Sequence, residues 1–266
     1  MKRDRVKEER EFEELLTVNS KEQILNIKSI VNELLPKNLK VAAKNDSQIN
    51  LIKSIKNNEI TICAGPGGTG KTFVAMAIAL GLLKKSTNRY KKIYLVKSVK
   101  TLQGEEVGFL PGDVKEKTDP IMWSFYLNME KLLLASSIKA LIEKDIIRPA
   151  PLAFIRGASL DDCIIIADEM QNVSLDNSRT LLTRIGSNSK LILLGDINQI
   201  DMKNKDESSL ETLLGLFEGV SNMGVIKMSD EDTNIRNPLI NIIETKYKTY
   251  IEKNKPVNGK KQRLFD

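Results

Sequence analysis

The apolar run EITICA (59–64) enters GPGGTGKT (65–72) without a spacer, and a helical apolar stretch, TFVAMAIALGLLK (72–84), starts at the last residue of that loop. This junction constrains the chain more than any other feature. A G-x-x-x-x-G-K-T string set between a strand and a helix is a phosphate-binding loop. Its glycines let successive N–H groups face phosphate oxygens, and the helix N-terminus adds partial positive charge. On this reading Gly65, Pro66, Gly67, Gly68, Thr69, Gly70, Lys71, Thr72 and Phe73 bind the nucleotide. Lys71 reaches the β- and γ-phosphates of ATP, and the Thr72 hydroxyl is a ligand for Mg²⁺.

Downstream, short apolar runs alternate with helical stretches. KIYLVK (92–97), PLAFI (151–155), CIIIAD (163–168), KLILLG (190–195) and GVIKM (224–228) read as strands, with helices over about 120–144 and 176–184. Near-continuous apolar strands separated by helices predict an α/β fold, a mostly parallel sheet covered by helices on both faces. Residues 45–250 read as this core and 251–266 as a basic tail. Residues 1–44 read as a short helical N-terminal extension. In it EQILNIKSIVNELL puts Ile24, Ile27, Ile30, Val31 and Leu34 on one helix face ahead of Pro36.

A phosphate loop needs a carboxylate strand to hold the metal, and CIIIADE supplies one. Asp168 is expected to bind Mg²⁺ through water, and Glu169 to polarise the attacking water. In a parallel sheet the ligand lies at the carboxyl ends of the strands, so KLILLG delivers GDINQID (195–201) to the same crevice. Gln199 is placed to sense the γ-phosphate, because an amide can donate to phosphate while accepting from water. Gly195 is expected to make the turn, and Asp201 carries no assigned role. The Asp-Glu doublet favours hydrolysis over transfer to a small molecule, which disfavours a nucleotide kinase.

Composition bounds the rest. At 266 residues, 41% hydrophobic and 29% charged, the chain suits a cytoplasmic globular protein. Its longest apolar stretch, Phe73 to Leu83, is about half the ~20 residues of a membrane span, so no membrane association is expected. Cys63 and Cys163 each sit beside an apolar run, and the chain has no histidine, so neither a disulfide nor a zinc site is expected. The net charge of +6 and the five basic residues in 253–266 point weakly toward a polyanion.

Taken in order, VGFLPGDVKEKTDP (107–120), APLAFIRGASLDD (150–162), DEMQN (168–172), LLTRIGSNSK (181–190) and GDINQID resemble the PhoH-like family of P-loop ATPases, relatives of superfamily 1 helicases. DEMQN is similar to the family's DEAQN, with Met170 in place of alanine, and GDINQID resembles helicase motif III. The resemblance covers about residues 45–250. It implies a RecA-like core that binds and hydrolyses ATP, RNA-helicase activity in some members, and a homo-oligomeric ring with a hexamer as the expected size. It also places Gln48 on the adenine, against the alternative of a surface polar group on an amphipathic helix. Arg236 becomes a candidate arginine finger across a subunit interface, against a surface ion pair. The sequence departs from the family twice. Asn237 stands where an arginine–histidine pair has its histidine, and Lys97 stands where arginine is usual, keeping the charge but losing bidentate geometry.

The leading reading is an oligomeric ATPase motor acting on RNA or single-stranded DNA. The alternative is an ATP-driven switch or assembly factor acting on protein partners. Aromatics for base stacking are sparse at 5%, with Phe109, Trp123, Phe125, Tyr126, Phe154 and Arg156 as candidates beside ordinary packing roles.

Overall fold

A computed structural model describes residues 22–39, 41–85, 89–98, 114–155, 157, 159–202, 204–229 and 238–253. The 1–21 and 254–266 tails, residues 107–113 of the 107–120 string (Phe109 among them), Arg156, Arg236 and Asn237 lie outside the described residues. A helix over 22–34 (α1) leads into α2 (Asp46–Asn57), β1 (Ile60–Ala64), α3 (Lys71–Lys85) and β2 (Lys92–Lys97). Then come α4 (Val114–Glu130), α5 (Ala135–Glu143), β3 (Ile147–Pro151), β4 (Cys163–Asp168), α6 (Leu175–Leu182) and β5 (Lys190–Gly195). The last elements are α7 (Leu210–Leu216), β6 (Met223–Lys227) and α8 (Pro238–Lys253).

The six strands form one sheet in the order β3-β2-β4-β5-β1-β6, and every pairing is parallel. This is the expected parallel sheet, and β5 lies between the phosphate-loop strand and the Asp168-Glu169 strand. All six residues of β4 and all six of β5 are buried, as two covered faces require. Alternate residues of each strand feed opposite cores. Ile164, Ile166, Ile192 and Leu194 pack beneath α3, α4 and α5, together with Val31 and Leu35 from the N-terminal helical segment. Ile165, Ala167, Leu191 and Leu193 pack against α6 and α7. The ammonium of Lys84 donates to the carbonyls of Leu35 (3.0 Å) and Pro36 (2.8 Å). These bonds fasten the chain just after α1 to α3. Cys63 and Cys163 are both buried and unbridged, and burial pushes the Cys163 thiol up to about 11.

Two expectations about elements need correction. PLAFI is not a strand: the strand is Ile147–Pro151, and the chain then turns into a single 3-10 turn over Leu152–Ile155. β3 carries Pro149 and Pro151, and among the described residues it is an edge strand paired with β2, where a missing N–H is tolerated. The apolar run places Ile155 in the core from a turn instead. The long helix expected over 120–144 is two helices. The chain breaks after Glu130, burying Leu133, while Leu134 takes extended backbone angles ahead of α5. Periodicity alone does not see this break, because apolar spacing continues through it.

α2 lies close against the sheet because β6 offers it a glycine. A Cβ at Gly224 would collide with Ser54 Oγ and stand 2.6 Å from Asn58 Nδ2. Ser54 in turn shares a buried 2.9 Å hydrogen bond with Thr61 of β1. Gly224→Ala is therefore expected to destabilise the fold by about 1–3 kcal/mol, the usual cost of overpacking. Urea unfolding would show this as a lower midpoint with an unchanged slope.

Candidate nucleotide site

Residues 65–70 join the end of β1 to the start of α3. Gly68 (φ 91°) and Gly70 (φ 82°) take left-handed backbone angles that only glycine adopts readily. Gly67 is required for a different reason, since a Cβ there would lie 2.9 Å from Gln199 Nε2. The Thr69 hydroxyl donates to the Pro66 carbonyl (3.0 Å). Lys71 is buried and folds back over the loop, its ammonium donating to the carbonyls of Gly65 (2.6 Å) and Pro66 (2.8 Å). Burial lowers its pKa, and the nearby carboxylates of Asp196, Asp168 and Glu169 oppose that shift. Phe73, in the first turn of α3, is half-buried.

Asp168 ends β4 and accepts a 2.9 Å hydrogen bond from the Thr72 hydroxyl. Burial raises its pKa, and the neighbouring Glu169 charge adds to the effect. A buried carboxylate that repels its neighbour and already meets a hydroxyl is a hard oxygen pair suited to Mg²⁺. Among the described residues no three acidic, histidine or cysteine side chains converge on a metal position. Asp168 and Thr72 would therefore hold the ion with water and phosphate completing its shell, as is usual for Mg²⁺.

Glu169 leaves the strand in a left-handed conformation (φ 58°, ψ 37°), uncommon for a side chain of this kind. Its carboxylate accepts a 2.6 Å hydrogen bond from Gln171 Nε2 and lies 3.7 Å from the Lys97 ammonium. Lys97 sits beside Asp168 in the β2–β4 register and also donates to Ser124 Oγ on α4 (3.1 Å).

The loop after β5 is tied to both of these groups. Asp196 Oδ2 accepts from the Gly67 N–H (2.8 Å), and its Oδ1 accepts from the Asn198 N–H (2.9 Å). The Asp196 N–H donates to Gln171 Oε1 (3.0 Å). Asn172 and Asp201 pair twice: Asp201 N–H to Asn172 Oδ1 (2.8 Å) and Asn172 Nδ2 to Asp201 Oδ2 (3.2 Å). Gly195 has no left-handed angle; its constraint is space, because a Cβ would stand 2.8 Å from Gln171 Oε1. A cleft of about 560 Å³ opens beside the loop, bounded by Pro66, Ile197, Asn198, Glu211 and Lys227 among others.

Gln48 is not a surface group. Only 4% exposed, it donates from Nε2 to the Thr69 carbonyl (2.9 Å) and accepts from the Lys44 N–H (2.9 Å). The structure thus gathers Gln48, residues 65–73, Asp168, Glu169 and Gln199 around one loop; Arg236 falls outside the described residues. It adds Lys97, Gln171, Asn172 and Asp201 to the same network, in which Asp196 shapes the loop after Gly195. Their one signal in the sequence is polar side chains crowded just past the ends of strands too apolar to need them.

A model of the PhoH-like protein family matches residues 40–248. A PhoH-like protein of Bacillus subtilis is 35% identical over 235 residues, 87% of this chain and 72% of that one. A PhoH-like protein of Synechocystis is 35% identical over 207 residues, 78% of this chain and 62% of its own length. The Escherichia coli protein PhoH is 32% identical over 196 residues, 72% of this chain and 54% of its own. Among solved structures, the large terminase from a thermophilic bacteriophage superimposes with a TM-score of 0.45 and 10% identity, over 80% of this chain and 50% of that one.

Because the Asp168 pKa is raised, the native chain keeps that proton to higher pH than the unfolded chain does. The group's contribution to stability therefore falls as pH rises from 3.8 through the folded value, and above that range burying the group is a cost. Asp168→Asn removes the charge and leaves an acceptor for the Thr72 hydroxyl. In thermal unfolding without nucleotide it is expected to melt higher than wild type, by roughly 2–4 °C for each kcal/mol relieved. It should also lose the stabilisation that Mg-ATP gives the wild type.

Proposed function

This chain belongs to the PhoH-like family, and from that premise we propose that it hydrolyses Mg-ATP and couples the cycle to movement or remodelling of RNA or single-stranded DNA. The observation that carries the reading is the convergence of Lys71, the Thr72–Asp168 pair, Glu169 and Gln199 on one loop at the carboxyl ends of adjacent parallel strands.

On this reading Lys71 exchanges its two loop carbonyls for phosphate oxygens, a short swing for a side chain already folded over the loop. Asp168 and Thr72 would hold Mg²⁺, which when bound would offset phosphate charge. Glu169 takes a proton from the attacking water, whose oxygen bonds to the γ-phosphorus as the bond to the bridging oxygen breaks and ADP departs. Gln199 lies against Gly67 and is within reach of the same phosphate. Gln48 has one N–H and one lone pair left over from its bonds to Thr69 and Lys44 for an adenine edge. Arg236 serves as a finger supplied to a neighbouring subunit's site in a homo-oligomeric ring, with the hexamer as the expected size. The setting is cytoplasmic; among the described residues no helix is long and apolar enough to cross a membrane.

Of the candidate stacking aromatics, Trp123 on α4 is exposed and Phe125 is buried. This thin supply of aromatic surface keeps the protein-directed switch as a second reading. Ile242, Ile243 and Tyr247 on α8 favour it as well, being exposed apolar groups suited to contact with protein.

ATPase rates measured alone, with poly-RNA and with single-stranded DNA separate the two readings. Lys71→Ala is expected to abolish turnover, and Glu169→Gln to bind Mg-ATP yet hydrolyse it roughly 100-fold or more slowly. Strong stimulation by a polymer supports the motor. Rates indifferent to every polymer, with no binding at low salt, would favour the switch.

A further inference from the structure

Gln171 is buried, at 1% exposure, in a single 3-10 turn between the Asp168-Glu169 doublet and α6. A buried amide has to satisfy both of its ends, and this one does so across two strands. Its Nε2 donates to Glu169 Oε2 at 2.6 Å, and its Oε1 accepts from the Asp196 N–H at 3.0 Å. Asp196 in turn accepts from the N–H of Gly67, the residue against which Gln199 rests. One side chain therefore connects the carboxylate beside the attacking water to the loop that meets the γ-phosphate. The connection is specific to an amide: a glutamate would present an acceptor to Glu169, and an apolar residue would leave the Asp196 N–H without its partner. The glycine at 195 fits the same account, since any Cβ there would press on the Gln171 carbonyl oxygen.

The geometry points to Gln171 as the positioning residue that sets the orientation of Glu169 according to what the 196–199 loop contacts at Gly67. The inference rests on the reading of Glu169 as the base. Gln171 itself touches neither phosphate nor water. It holds one carboxylate oxygen of Glu169, leaving the other to face the Lys97 ammonium at 3.7 Å. A shift of Asp196 away from Gly67 when phosphate takes that N–H would be passed through the Gln171 amide to the carboxylate, with no movement of β4 required.

The test compares steady-state Mg-ATP hydrolysis by wild type, Glu169→Gln, Gln171→Leu and Gln171→Glu from about pH 6 to about pH 8.5, with thermal unfolding of each protein alongside. Gln171→Leu is expected to lower kcat roughly 10- to 100-fold, the scale typical of groups that orient a functional side chain, with KM changed by less than about threefold. Gln171→Glu is nearly isosteric, so it keeps the fold if the leucine variant does not. Facing Glu169 it retains a proton to unusually high pH, and the protonated form restores the donor. The remaining charged side chains around the position are Lys97 from β2, Asp168 from β4, Asp196 after β5 and Lys71 of the loop. None of them is altered in the variant. Its kcat, relative to wild type, should therefore recover severalfold as pH falls from about 8.5 to about 6, a signature that a purely structural role would not produce. Wild-type kcat in both Gln171 variants overturns the inference, as does a pH-independent loss in Gln171→Glu. If Glu169→Gln retains full activity, the base reading itself has failed, and that outcome is distinct from a failure confined to Gln171.

Discussion

The placement of β5 between β1 and β4 is the constraint on which the site depends. The phosphate loop leaves β1, the Asp168-Glu169 pair leaves β4, and neither strand touches the other. Apart from the Thr72–Asp168 hydrogen bond, the ties that align the two come from the end of β5. The chain meets this need with Asp196, which accepts from Gly67 on one side and donates its own N–H to Gln171 on the other. The Asn172–Asp201 pair repeats the tie one step further out. The two strings DEMQN and GDINQID thus act as one unit, stitched residue to residue where their strands end. Of these ties, the part-buried Gly67 N–H to Asp196 carboxylate bond is charge-assisted and so stronger than a neutral one.

The sequence made legible whatever depends on neighbours along the chain. The phosphate loop, its flanking strand and helix, and the apolar strands that deliver Asp168 and Gly195 are local patterns, and they appear where the pattern put them. The strand placed at 151–155 belongs at 147–151, because prolines within a strand are tolerated only at an edge, a property of the assembled sheet. The break at 131–134 was hidden for a related reason: apolar spacing registers burial but not a change in helix axis. Lys97 is the clearest case within the site. Nothing in the sequence brings it to Glu169, 72 positions away by residue number; the parallel register of β2 with β4 does so. Asp201 was likewise unassignable until its partner Asn172 came into view.

Gln48 has contacts of its own beside the adenine role that the resemblance implies. The glutamine lies against the phosphate loop, where its amide spans the Lys44 N–H and the Thr69 carbonyl. It therefore supports the loop from the α2 side, while Ser54 and Thr61 fix α2 to β1 and the bare Gly224 admits α2 close to β6. A residue assigned by analogy to one contact acts here through at least two others, and removing it would disturb the loop whether or not adenine is bound.

The site also concentrates unfavourable terms. Lys71 and Asp168 are ionisable groups whose burial disfavours their charged forms, Glu169 adopts a left-handed backbone angle, and two carboxyl groups stand side by side. Each costs stability that the fold recovers only elsewhere. β4 and β5 supply much of that recovery: their twelve residues are all buried, and most are apolar. The polar residues of these two strands sit at their ends, with Lys190 at the start of β5 and Asp168 at the close of β4. Lys190 shows the same logic away from the phosphate loop, since burial lowers its pKa to about 8 while its ammonium is held by the Asn58 carbonyl. The central strands are therefore apolar along their length because their far ends must hold charge, and the strength of the core and the strain of the site are two consequences of one arrangement.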